Sequence, residues 1–82
     1  MIGELLNDLG VVYTNLGEFK EALQYHSESI AFKERYNAEN LTTLASSYAN
    51  KAATFQYLAQ VDSAIIFLNK ALELREKVFG KN

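Results

Sequence analysis

The stretch Leu16-Gly17-Glu18-Phe19-Lys20-Glu21-Ala22-Leu23 returns forty-two positions later as Leu58-Ala59-Gln60-Val61-Asp62-Ser63-Ala64-Ile65. The correspondence runs on downstream: Tyr25 falls on Phe67, Ile30 on Leu72, Phe32 on Leu74, Lys33 on Arg75, Glu34 on Glu76 and Arg35 on Lys77. Upstream, Tyr13 falls on Phe55 and Gly10 on Ala52. Few pairs are identical, but most keep their size or polarity. A period of this length, in a chain of helix-favouring composition, signals stacked helical hairpins. Such a stack offers a surface for holding other proteins rather than a catalytic centre.

The composition around the repeat fits that reading. Eighty-two residues make at most one small domain. A chain of this size buries only about 60 % of its unfolded surface. Without cysteine it has neither a disulfide nor a thiolate metal site. It has no proline and four glycines, so little interrupts helix. Apolar residues at 49 % and charged residues at 22 % give a globular rather than a disordered balance. The net charge of −2 gives no sign of the basic face of a nucleic-acid module. No apolar run approaches the roughly 18 residues that a membrane span needs. No secretion leader is visible, so a cytoplasmic setting is the default expectation.

Four helices can be read from apolar spacing. The first covers about Ile2 to Leu16, with Ile2, Leu5, Leu6, Leu9, Val12, Tyr13 and Leu16 as its apolar face. Gly17 ends it, because glycine accepts the left-handed conformation that follows a helix. The second covers about Glu18 to Tyr36, acidic at its start and basic at its end, as the helix dipole favours. Its inner stripe is Phe19, Ala22, Leu23, His26, Ile30 and the stem of Lys33. Asn37 to Asn40 is the expected turn. The third helix runs from Glu39 or Asn40 to Leu58, with Leu41, Leu44, Ala45, Tyr48, Ala52, Phe55 and Leu58 or Ala59 inward. The fourth runs from Val61 to Phe79, with Val61, Ala64, Ile65, Leu68, Ala71, Leu72, the stem of Arg75 and Val78 inward, and Gly80 ends it. Short connectors make neighbouring helices antiparallel. The expected fold is all-α, a pair of stacked hairpins in a single 1–82 domain, with repeat one at about 1–42 and repeat two at about 43–82. Two hairpins are fewer than the three or so repeats usually needed, so the chain is expected to belong to a longer array.

These residues resemble the tetratricopeptide repeat, written W-x2-L-G-x2-Y, then A-x3-F, then P. The first unit reads Leu6-x2-Leu9-Gly10-x2-Tyr13, then Ala22-x3-His26, with Glu34 at the proline position. The second reads Tyr48-x2-Lys51-Ala52-x2-Phe55, then Ala64-x3-Leu68, with Glu76 at that position. Lys51 stands where leucine is expected, His26 where an aromatic is, and Ser29 where alanine is. The long period and the ending Ala71 to Asn82 look like the kinesin-light-chain type of repeat.

The resemblance implies that the first helix of each hairpin lines a concave, peptide-binding face. By position that face is Glu4, Asn7, Asp8, Val11, Thr14 and Asn15 in unit one, and Ser46, Ala49, Asn50, Ala53, Gln56 and Tyr57 in unit two. Asn50 matches an asparagine with which kinesin-light-chain-like repeats grip peptide backbone, whereas Asp8 takes that place in unit one. Asn7 and Val11 stand where chaperone-binding members carry the lysine and asparagine of a carboxylate clamp, so that clamp is not expected. The face reads equally as a solvated groove.

No catalytic or metal constellation emerges, and no cofactor is expected. His26 is the single histidine, without companion ligands or a nucleophile, because Ser27 and Ser29 point to other faces of the helix. It reads as a packing residue. Gly80-Lys81 lacks the glycine-rich run of a phosphate loop. The five tyrosines lack interleaved basic residues, so they read as packing rather than base stacking. The last hairpin is expected to expose apolar residues (Phe67, Ile66, Leu74 and Phe79) and to associate through them into a homo-oligomer. Ala59 stands where unit one has Gly17, and a left-handed alanine costs about 1–2 kcal/mol. A hinge strained in that way could open and exchange hairpins between chains, though the ordinary hairpin is the expectation. The function expected from the whole is a non-catalytic scaffold that binds a protein or peptide partner, with self-assembly through the flanks as the alternative. Neither nucleic acid nor membrane is expected as a partner.

Overall fold

In the computed structural model, which describes residues 2–36 and 40–80, four α-helices follow one another. They are α1 (Ile2–Asn15), α2 (Phe19–Tyr36), α3 (Leu41–Tyr57) and α4 (Val61–Phe79). Every regular element among the described residues is helical, as the spacing predicts, and the bounds differ from the expected ones by a residue or two at most. Asn37, Ala38 and Glu39 of the expected turn lie outside the described residues. Its last residue, Asn40, caps α3: the Asn40 side-chain oxygen accepts from the Thr43 backbone N–H at 3.3 Å. α1 packs on α2 and α3 on α4, forming two hairpins. α3 also packs on α2 and touches α1, whereas α4 packs on α3 alone.

The two hairpins are built alike in detail. The rings of Tyr13 and Tyr25 stack at 5.3 Å and 10° between α1 and α2. Forty-two positions on, the rings of Phe55 and Phe67 stack at 5.6 Å and 9° between α3 and α4. The first helix of each hairpin ends in the same way. The Gly17 N–H donates to Thr14 O at 3.0 Å and the Glu18 N–H to Tyr13 O at 2.8 Å. The Ala59 N–H donates to Gln56 O and the Gln60 N–H to Phe55 O, both at 2.9 Å. This paired pattern places the residue after the helix in the left-handed region. Gly17 has φ 80° and Ala59 φ 60°, so the alanine accepts the conformation that glycine takes freely. Each hairpin closes within one chain.

A buried polar joint locks the first hairpin to α3. Lys33, on α2, is 1 % exposed. Its amine forms an ion pair with Glu4 of α1 and donates to Thr43 O and Ser47 Oγ of α3, both at 2.9 Å. Beside it, Ser29 Oγ donates to Gly3 O at 2.7 Å and lies 3.0 Å from Ser47 Oγ. At the rim the Tyr48 hydroxyl donates to Glu34 at 3.2 Å.

Burial departs from the expected stripes at both ends of the stack. On α1 the buried residues are Gly3, Asn7 and Gly10, while Ile2, Leu5, Val12 and Leu16 are exposed. Small residues let α1 approach α2 closely, and this turns the leucine-rich side outward. On α4, Ala64 and Ala71 are buried, but Val61, Ile65, Leu68, Leu72 and Val78 are exposed. α4 meets α3 through its alanine side, with Phe67 and Leu74 half-buried at the edges, and the larger apolar stripe faces away. Phe67 lies between Tyr48, Phe55 and the Lys51 amine, which stands 4.4 Å from its ring centroid. Of the four residues expected to make the open flank, Phe67 and Leu74 are thus half-buried, while Ile66 and Phe79 are exposed.

Because Ala59 carries left-handed strain that Gly17 does not, Ala59→Gly should stabilise the fold by about 1 kcal/mol. Gly17→Ala should destabilise it by a similar amount. Urea unfolding checks both: the midpoint should rise for the first and fall for the second, with the slope unchanged.

Candidate functional site

The side chains expected on the concave face come from α1 and α3, and the structure sorts them into two groups. Asn7, Thr14 and Asn50 hold these helices together. Asn50 Nδ2 donates to Asn7 Oδ1 at 3.1 Å, and Asn7 is buried. The hydroxyls of Thr14 and Thr54 lie 3.0 Å apart. Each also donates to the carbonyl four residues back in its own helix, Thr14 to Gly10 and Thr54 to Asn50. The second group faces outward: Asp8, Val11, Asn15, Gln56 and Tyr57 are exposed, with Ala49 and Ala53 half-buried between them.

Val11, Thr14, Asn15, Asn50, Ala53 and Tyr57 surround a pocket of about 160 Å3 with His26 at its floor. Tyr57 stands at its edge, 67 % exposed, its ring stacked on Phe19 at 5.6 Å and 7°. That stack fixes an exposed aromatic without burying it. Ala49, Ala53 and Gln56 belong to a neighbouring groove of about 200 Å3 between α3 and α4, walled by Val61, Ile65 and Leu68. Asp8 lines neither.

His26 is fully buried, and neither ring nitrogen has a hydrogen-bond partner among the described residues. A Cβ placed on Gly10 would stand 2.5 Å from the ring, so α1 lies directly on the imidazole. Burial, reinforced by the positive charge of Lys51, pushes its pKa down to about 4. The ring is therefore neutral at pH 7. It is a spacer between three helices, with no acid or nucleophile oriented on it. Lys51 itself is pushed down by burial. Its stem occupies the place of the expected leucine while its amine reaches the Phe67 ring. Among the described residues, no group of three or more His, Cys, Asp or Glu is arranged to hold a metal ion. No helix there is long and apolar enough to cross a membrane.

Sequence reasoning did not find the Lys33–Glu4–Ser47–Ser29 cluster or the Asn7–Asn50 latch. Polar residues inside the apolar stripes, Ser29 and Lys33 on α2 and Ser47 and Thr54 on α3, were the available signal.

Two equivalent helix hairpins, packed so that their first helices lie side by side, define a helical-repeat interaction module. The model of the tetratricopeptide repeat matches residues 1–77, and the chain belongs to that family. Members of the family generally mediate protein–protein interaction and are generally non-catalytic. No curated protein and no solved structure matches the chain.

The buried histidine makes stability depend on pH. The unfolded ring takes up a proton below about pH 6.5, and the folded ring only near pH 4. The neutral ring's contribution is thus complete above about pH 6.5 and is lost as the pH falls toward 4. Between pH 7 and pH 5 the loss should be about 2 kcal/mol. In His26→Leu, which copies the residue at Leu68, the fall in urea-unfolding free energy over that range should be smaller by this amount. An equal fall in both proteins would count against the assignment.

Proposed function

We propose that this chain is a non-catalytic scaffold module that holds an extended segment of a partner protein against the face shared by α1 and α3. The observation that carries the reading is the pocket ringed by Val11, Asn15, Ala53 and Tyr57, with an exposed aromatic braced at its edge. Short side chains let a peptide backbone approach, and the Asn15 and Gln56 amides can both donate to it and accept from it. A rigid, partly desolvated tyrosine is the kind of residue that dominates binding energy at an interface. Asn7 and Asn50, engaged with one another, set the width of the groove. The forty-two-residue period and the Ala71 to Asn82 ending support the kinesin-light-chain type of repeat within the family.

The second reading is self-assembly, favoured by the exposed stripes of α1 and α4. Patches of that kind commonly mark interaction surfaces.

Peptides selected from a random library for binding to this chain test the first reading. Their affinity, measured by titration calorimetry, should fall at least tenfold in Tyr57→Ala, about 1.4 kcal/mol or more. Asn15→Ala should cost several-fold, and Lys20→Ala, on exposed α2 surface, should change nothing. Binders indifferent to Tyr57→Ala would place the site elsewhere.

A further inference from the structure

The positions that form the joint between the two hairpins recur, exposed, on α4 and on α1. The centre of the joint is formed by His26, Ile30 and Lys33 of α2 and by Leu44, Ser47 and Thr54 of α3, all buried. Moving the first three forward by forty-two positions gives Leu68, Leu72 and Arg75 on α4. Moving the last three back gives Ile2, Leu5 and Val12 on α1. All six are exposed, and the five apolar ones are 48–60 % exposed. The groove between α3 and α4 fits the same scheme. Its Ala52, Ala53, Ala64, Ile65 and Leu68 stand where Gly10, Val11, Ala22, Leu23 and His26 stand in the first hairpin. Of these, Gly10, Ala22 and His26 are buried and Leu23 is half-buried in the stack. One chain therefore carries both halves of a joint whose geometry it already displays.

We propose that α1 of a second copy seats in the α3–α4 groove, joining chains head to tail. This inference rests on the self-assembly reading and gives it a direction. The incoming helix would lie on α4 as α3 lies on α2, bringing Leu5 and Val12 onto Leu68, Leu72 and Ala71. Ala52, Ala53 and Ala64 are small enough to admit it closely. The chemistry of the copied joint differs from that of the original. His26, Lys33, Ser47 and Thr54 make the internal joint polar, whereas Leu68, Leu72, Leu5 and Val12 leave Arg75 as the single charge among the corresponding positions. Contact there removes apolar surface from water, and the long stem of Arg75 lets its guanidinium reach the solvent at the edge of the joint rather than be buried without acceptors. The contact is heterologous, so each added copy exposes a fresh groove and growth does not close at a dimer.

Sedimentation equilibrium of the 82-residue chain, with two variants of exposed positions, tests this. The wild-type average mass should rise with concentration past twice the monomer's 9.2 kDa without a plateau. Val12→Glu spoils the inserting helix and Leu68→Glu spoils the groove, so each variant alone should remain a monomer. Mixed, they should form a one-to-one dimer that grows no further, because one sound helix meets one sound groove. Circular dichroism should show wild-type helicity in both variants. A wild-type chain that stays monomeric at millimolar concentration overturns this proposal and the self-assembly reading together. If the wild-type chain assembles but either variant alone still dimerises, or the mixture stays monomeric, the head-to-tail joint is overturned and assembly through another contact survives.

Discussion

The amine of Lys33 is the constraint on which the rest of this stack depends. It sits where α1, α2 and α3 converge, against the Glu4 carboxylate, the Thr43 carbonyl and the Ser47 hydroxyl. A buried cation is tolerable only where several acceptors surround it, and these come from three helices. The amine is satisfied in one register of α3 against the first hairpin, and a slip by a turn would leave it stranded. With that register set, Asn50 meets Asn7, Thr54 meets Thr14 and Tyr57 stacks on Phe19, which builds the α1–α3 face.

Equivalence of the hairpins and inequality of their surroundings together explain the molecule. Inside each hairpin the aromatic stack and the helix ending repeat almost unchanged, because the same two helices meet in the same way. Between hairpins the residues diverge. His26 becomes Leu68, Lys33 becomes Arg75 and, in the other direction, Ser47 becomes Leu5. The internal joint is specified by hydrogen bonds. The outer faces carry apolar bulk instead, which favours association while setting register less strictly. The Gly10–His26 contact shows the same divergence at one residue. Glycine admits the ring beneath α1, while Ala52 in the second hairpin has its own Cβ and Leu68 stays out in the groove.

Much of the fold was legible in the sequence because repetition and helical spacing are local signals. Gly17 and Gly80 marked helix ends, and the alignment of Ala59 with Gly17 foretold its left-handed backbone. The side of each helix that would be buried was less legible. α1 and α4 each carry an alanine- or glycine-lined side and a leucine-lined side, and hydrophobicity favours the second. Close helix packing selects the first, so Leu5, Val12, Leu68 and Leu72 end on the surface. The polar contacts were hidden for another reason. Glu4 with Lys33, and Asn7 with Asn50, are 29 and 43 residues apart, and no local pattern links them. On the α1–α3 face, places carried over from the repeat resemblance grouped Val11, Asn15, Ala53 and Tyr57, which line one pocket. Those places could not separate them from Asn7, Thr14 and Asn50, which bind the helices to one another.

The central claim is that one position does different work in the two repeats because it is buried in the joint in the first and exposed in the second. Comparing Lys33→Ala with Arg75→Ala by urea unfolding tests it most directly, since the two residues are equivalent in the repeat. At a concentration where the chain is monomeric, Lys33→Ala should cost about 2–4 kcal/mol, from lost hydrogen bonds and an emptied joint. Arg75→Ala, at an exposed site, should stay within about 0.5 kcal/mol of wild type. Equal losses at the two positions, or none at Lys33, would contradict the account.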